Sequence, residues 1–323
     1  MSNEIKSYLA MLIQSVSIGF SFLFINIALK STNTINLLAH RFTVTLICMI
    51  LFMLFKKESL KIKMEDLKRI APLSLAFPII FFLNQTVGYT MVTSSQSGII
   101  YALTPILTFA FAKIFIKEKN NLKQFLFMIL SILGIAFINL MKDSNSADFN
   151  LLGNIIILIS AGAFGIYNVF VRKIANKYSP IQIAYVVNLC GFVFFNVVAV
   201  GDGIMNKNLH LFFNGFTNVE FLISLFYLSV ITTFLTMILV AFSLSHLEST
   251  TVSLFQNVTT VVNILVGVFI FGDLLTIYDH IGIIAVLIGT IGFNLARNKG
   301  NSLKSQKISL ILNFICFWCN YMN

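Results

Sequence analysis

Tyr101, Thr104 and Thr108 recur at i, i+3 and i+7 inside an otherwise apolar run, so a helix would carry all three on one face. The spacing returns as Gln256, Thr259 and Asn263, each 155 residues further along, and Asn257 and Thr260 widen this second stripe. Hydroxyl and carboxamide groups donate and accept hydrogen bonds but bring no strong base. They suit holding a small polar solute. They equally suit bonding one helix to another inside an apolar medium. A single residue fits either role, whereas two stripes at equivalent positions favour a shared central cavity. Other apolar runs carry Gln14, Ser17 and Ser21, then Asn84, Gln85 and Tyr89, then Ser160, Tyr167 and Asn168. Pro105 removes an amide donor beside the first stripe and is expected to kink its helix, freeing a carbonyl at the site. Pro78 and Pro180 fall near run ends or first turns, where a purely structural role is expected.

Arg41 is the one basic residue within an apolar run, about two turns from its start, with His40 beside it. Two readings stay open. The side chain snorkels to the headgroups, or it forms an electropositive wall for an anionic or zwitterionic solute. Acids are absent from mid-run positions: Glu118, Glu220, Glu248, Asp273 and Asp279 all sit near run ends. This argues against a central carboxylate gripping a cationic drug. Facilitated diffusion, exchange and coupling through end-of-helix groups stay open.

Enzyme chemistry finds no support. Neither H-E-x-x-H nor G-x-S-x-G occurs, and His40, His210, His246 and His280 are scattered. Cys48 and Cys190 lie in apolar runs as small packing residues. Cys316 and Cys319 form a C-x-x-C without the strand–helix setting of a redox motif or the second pair of a zinc site. No catalytic residue, metal or cofactor is expected.

The composition says what must position these residues. Of 323 residues, 58% are hydrophobic and 11% charged, against about 25% charged in a soluble domain. Apolar surface in such excess faces lipid. Runs of about 20 apolar residues are the length a membrane-crossing helix needs, and a lone chain in lipid satisfies its backbone groups best as helix. The expected spans are 8–29, 35–55, 69–92, 97–116, 122–141, 150–172, 180–200, 219–244, 249–271 and 277–297. The first is too long for a signal-peptide core and has no small-residue cleavage site after it, so it is expected to be retained. The fold class is thus an all-α integral membrane protein with ten transmembrane helices.

The formal charge of +10 would suggest nucleic acid in a soluble protein, but here the cations sit in short loops and act as topology signals. With the N-terminus in the cytoplasm, eighteen of the 22 lysines and arginines collect on that side, leaving Lys30, Lys142 and Lys207 outside and Arg41 within a span. N-in/C-in follows. The partners expected are a small-molecule solute and the lipid bilayer, with no nucleic acid and a homodimer left open.

The 155-residue offset also pairs Gly134 with Gly289, Asn139 with Asn294 and Glu118 with Asp273, and an offset of 146 pairs Gly19 with Gly165. Two five-helix halves result, 1–145 and 146–298, followed by a basic tail, 299–323, with a short apolar end. Five is odd, so the second half enters the membrane inverted. The loop cations Lys113, Lys117, Lys119 and Lys123 fall opposite Val268, Gly272, Leu274 and Tyr278, as they should if one loop is cytoplasmic and its twin external. Inverted repeats mark secondary transporters, whose sites lie near the midplane between the halves. A channel, or a scaffold or receptor without carrier activity, is the alternative; the short loops leave no room for a soluble domain.

Across residues 5–298 the chain resembles the EamA-type drug/metabolite transporters. The resemblance rests on Ile18-Gly19 and Phe164-Gly165, the Arg172-Lys173 pair and Arg41. It also rests on the passage from Asn84-Gln85 through 93–98 to Leu103-Thr104-Pro105, and on Lys117-Glu118 followed by Gly134. Gly272-Asp273 with Gly282 and Gly289 repeats the last of these. Thr260 stands where the family often has proline, Asp273 replaces the usual glutamate, and the tryptophan common before the first glycine is missing. The resemblance implies a ten-helix bundle in the cell membrane. It further implies a central cavity lined mainly by the first, third, fourth, sixth, eighth and ninth helices, alternating access, and small metabolites, often exported, as substrates.

Overall fold

Long apolar segments coil because a helix satisfies its backbone hydrogen bonds within itself. The structure, a computed structural model, describes residues 2–57, 63–89, 91, 100–118, 121–142, 150–271 and 277–296, and contains helices and turns with no strand among them. The tail, 299–323, and residues 93–98 lie outside the described residues.

The helices are α1 (Asn3–Gly19), α2 (Ser21–Leu29), α3 (Thr34–Phe55), α4 (Met64–Ile70), α5 (Phe81–Tyr89), α6 (Thr104–Phe115) and α7 (Leu122–Lys142). They continue as α8 (Leu151–Ile174), α9 (Pro180–Met205), α10 (Val219–Phe226), α11 (Thr236–His246), α12 (Ser249–Phe271) and α13 (Ile277–Leu295). Helix falls on each expected run. Six of these segments are long and apolar enough to cross a bilayer, counting α1–α2 and α10–α11 each as one, and α6 and α7 add shorter apolar helices. Caps fix several starts. Asn33 Oδ1 accepts from the Asn36 N–H at 2.8 Å, and Ser179 and Gln182 form a capping box ahead of Pro180.

Two π-helical segments interrupt the ladder, Leu75–Ile80 before α5 and Tyr227–Leu235 between α10 and α11. The first corrects the expectation for Pro78. The proline lies inside the third run, where it withholds an N–H, and Phe77 leaves helical geometry at φ −139° and ψ 119°. Pro105 is also corrected. It occupies the first turn of α6, where a missing N–H costs nothing, so it starts a helix and does not bend one. Pro180 opens α9 as expected.

Packing comes in reciprocal pairs. α1 lies against α11 and α12, as α8 lies against α5 and α6, while α3 pairs with α9, α6 with α12 and α7 with α13. Directions can be read from residue pairs. Tyr101 meets Ser160, Thr108 meets Gly165 and Phe115 meets Phe170, so α6 and α8 run parallel. Asn121 donates to the Ala296 carbonyl at 2.8 Å and Gly134 meets Gly282, so α7 and α13 run antiparallel. At that crossing a Cβ on Gly134 would lie 2.8 Å from the Gly282 carbonyl, and one on Gly289 would lie 2.7 Å from the Phe127 carbonyl. These two contacts exchange under the 155-residue offset. Small residues let the two backbones touch, which is how apolar helices associate without a hydrophobic driving force.

Gly289→Val should therefore lower the thermal midpoint of the purified protein, since overpacking costs about 1–3 kcal/mol. Gly201→Ala, inside α9 with nothing within 4 Å of the added carbon, should not lower the midpoint in the same melt and should raise it slightly through helix propensity.

Candidate functional site

The first polar stripe becomes a junction of three helices. Ser253 on α12 donates to Thr108 Oγ1 on α6 at 2.7 Å, and Asn168 Nδ2 on α8 donates to Ser253 Oγ at 3.1 Å. Gly165 makes the approach possible, because a Cβ there would stand 2.9 Å from Thr108 Oγ1. Thr108 in turn donates to the Thr104 carbonyl at 2.9 Å. Thr104 Oγ1 and Asn168 Oδ1 remain buried without a partner. Tyr101 is tied to Ser160 at 2.9 Å, and Ser160 donates to the Phe81 carbonyl at 2.9 Å. Pro105 is buried beside Thr104.

The second stripe divides. Asn257 leaves the junction and donates to Ser131 on α7 at 2.9 Å, its Oδ1 buried and unpartnered. Thr259 and Thr260 bond back to the carbonyls of Phe255 and Gln256 at 3.2 and 3.3 Å. Gln256 is half-buried, and Gln14 is buried on α1 next to Ser15, whose hydroxyl donates to the Phe255 carbonyl at 3.0 Å. Asn84 bonds its own helix at the Ile80 carbonyl, 2.8 Å away, and Gln85 is half-buried. Tyr167 is buried in an aromatic cluster, 4.9 Å from the Phe77 ring, with its hydroxyl unpartnered. The side chains of Tyr89 and Asn263 lie outside the described residues.

Arg41 turns inward. It is 7% exposed and its guanidinium bonds within the bundle, where a snorkelling side chain would reach outward. Nε donates to Thr233 Oγ1 at 2.5 Å and Nη2 to Thr232 Oγ1 at 3.0 Å, and the guanidinium lies 5.1 Å over the Phe82 ring. Both threonines donate to the Leu228 carbonyl at 2.8 Å, which the π-helical register brings within reach of consecutive hydroxyls. Nη1 has no hydrogen bond among the described residues, and no carboxylate pairs with the guanidinium there. A buried cation held only by neutral hydroxyls, with donors to spare, is equipped to bind an anionic group.

Sequence reasoning missed Ser253, Thr232 and Thr233. Ser253 extends the second stripe by one turn and could have been read from its spacing to Gln256. The Thr232-Thr233 pair carried no signal, because only the π-helical turn aims both hydroxyls at Arg41. Thr233→Val keeps the shape but removes an acceptor from a buried charge, a loss of about 1–3 kcal/mol. An earlier thermal transition is expected, with Thr233→Ser recovering most of it.

The EamA-like transporter family matches the chain twice, over residues 5–140 and 151–295. An uncharacterized transporter of Bacillus subtilis (strain 168), YcxC, is 33% identical over 296 residues, 92% of this chain and 95% of its own length. An uncharacterized transporter of Archaeoglobus fulgidus is 22% identical over 165 residues, 51% of this chain and 57% of its own length. A crystal structure shares the fold at TM-score 0.72 and 12% identity, covering 90% of this chain and 96% of that one. The apolar helices, the doubled match and the full-length likeness to YcxC agree: the chain is a multi-pass membrane transporter belonging to the EamA-like transporter family.

Proposed function

We propose that the protein is a secondary carrier that moves a small anionic or zwitterionic metabolite, amino-acid-like in its charge pattern, out of the cell by alternating access. Ten spans run N-in/C-in through the cell membrane as two inverted halves, 1–145 and 146–298. The reciprocal packing supports this reading, as do the antiparallel course of α7 and α13 and the one-sided distribution of loop cations.

The observation that carries the substrate class is Arg41. A cation inside the membrane is expensive and marks a site by default. This one is buried, braced by Thr232 and Thr233, and retains free donors toward a carboxylate or similar group. The stripe residues Thr104 and Gln256 supply neutral contacts to the rest of the solute, and export is the direction that the family resemblance implies.

The test is counterflow in liposomes preloaded with pools of amino acids, nucleosides, purines or sugars. Saturable exchange is expected for a solute bearing a carboxylate. Arg41→Gln should weaken apparent affinity about 10-fold or more, the loss of a charge-assisted hydrogen bond. Thr104→Leu and Gln256→Leu should reduce exchange, and Lys207→Gln should not. Flux that never saturates would replace the carrier with a channel. Exchange indifferent to Arg41→Gln would remove the anionic group from the proposal.

A further inference from the structure

Four helix ends meet where α6 stops, away from the residues assigned to the solute. Lys117, with φ 53°, turns the chain out of α6, and the Glu118 N–H returns to the Ala112 carbonyl at 3.2 Å. Glu118 Oε1 then accepts from the Ser249 N–H at 2.9 Å and the Ser249 hydroxyl at 3.0 Å, capping α12 from another helix. Glu118 Oε2 is buried with no partner. From α8, Arg172 Nη1 donates to the Leu244 carbonyl in the last turn of α11 at 2.7 Å. The ends of α6, α8, α11 and the start of α12 are thus fastened through one carboxylate and one guanidinium. The N-in/C-in arrangement puts this end on the cytoplasmic side.

We propose that Glu118 is a proton-binding site whose occupancy latches this end of the bundle shut. Separating α6 from α12 breaks the cap and hydrates the carboxylate. Burial holds the Glu118 carboxyl above its ordinary range; the Ser249 N–H opposes this, the negative charge of Glu248 adds to it, and the Ser249 hydroxyl and Arg172 oppose it. Glu248, in the turn before α12, and Arg172, on α8, are the charged groups that act on it. The closed end therefore binds a proton more tightly than the open, hydrated end. By linkage, protonation favours closure. The extra closure is complete below the ordinary value of 4.5 and is lost as pH rises through the closed-state value. The step is a simple exchange: the carboxylic acid at Oε2 gives its proton to water as the end opens, and a proton from water returns as it closes. For the carrier reading, on which the consequence for transport rests, solute loading from this side is slowed by acid and speeded by alkali.

Hydrogen exchange of the full-length protein in lipid nanodiscs reads the latch without any solute. Rates for residues 247–253 and 112–118 are followed from pH 4 to 9 and corrected for intrinsic chemistry. Protection in wild type should fall along a single-proton curve as pH rises, about tenfold for each pH unit separating the closed and open values. Glu118→Gln, which keeps an acceptor for Ser249, should be protected at every pH. Glu248→Gln removes the repelling charge and should move the midpoint to lower pH. A flat wild-type profile overturns the proposal, and so does a Glu118→Gln profile that follows wild type. Should Glu118→Gln fail to fold, an unmoved Glu248→Gln midpoint overturns it alone. A failed counterflow screen bears only on the carrier reading and leaves this result standing.

Discussion

Lipid supplies no hydrogen bonds, and most of this structure follows from that constraint. Every backbone N–H and carbonyl must find a partner inside the chain, so the long apolar runs become helices. Every polar side chain on those helices must likewise be satisfied within the bundle. The hydroxyls of Thr108, Ser160, Thr232, Thr236 and Ser243 all bond to carbonyls, and those of Thr108, Ser160, Thr232 and Ser243 link one helix to another. The same pressure makes the exceptions conspicuous. Thr104 Oγ1, Asn168 Oδ1 and Tyr167 Oη are buried without partners on the helices of the polar junction, and others, such as both amide atoms of Asn188 on α9, lie elsewhere in the bundle.

Where the helical ladder is interrupted, polar side chains gather. The π-helical turn at Tyr227–Leu235 presents two adjacent hydroxyls to one carbonyl and, through them, to Arg41. The break at Phe77 and Pro78 turns aromatic rings toward α8, where Phe77, Phe81, Phe164 and Tyr167 pack together. α6 begins only at Thr104, with Pro105 in its first turn, where an absent N–H breaks no helical bond. Regular helix gives the bundle its length, and irregular helix gives it chemistry. Glycine sets how close the elements come: the crossings at Gly134 and Gly282 and at Gly289 and Phe127 leave no room for a side chain, and each repeats the other.

The amino-acid sequence determined the helical runs, because hydrophobicity over about 20 residues is a local property. The expected 35–55 became Thr34–Phe55, 150–172 became Leu151–Ile174 and 249–271 became Ser249–Phe271. It also carried the family, through glycines and polar residues whose order is local to each run, and it flagged Thr104, Thr108 and Asn168 as polar intruders. It could not decide which polar residues meet. Arg41 reads the same whether it reaches for headgroups or for Thr233, and the choice depends on a partner 192 residues away. Asn257 and Ser253 lie four positions apart on one helix, yet one bonds to α7 and the other to α6. Pro78 and Pro105 each withhold an amide, but only their neighbours make one a break and the other a helix start. Those outcomes rest on packing between distant segments, where hydrogen-bond geometry and close backbone approach select among arrangements that the local sequence leaves equivalent.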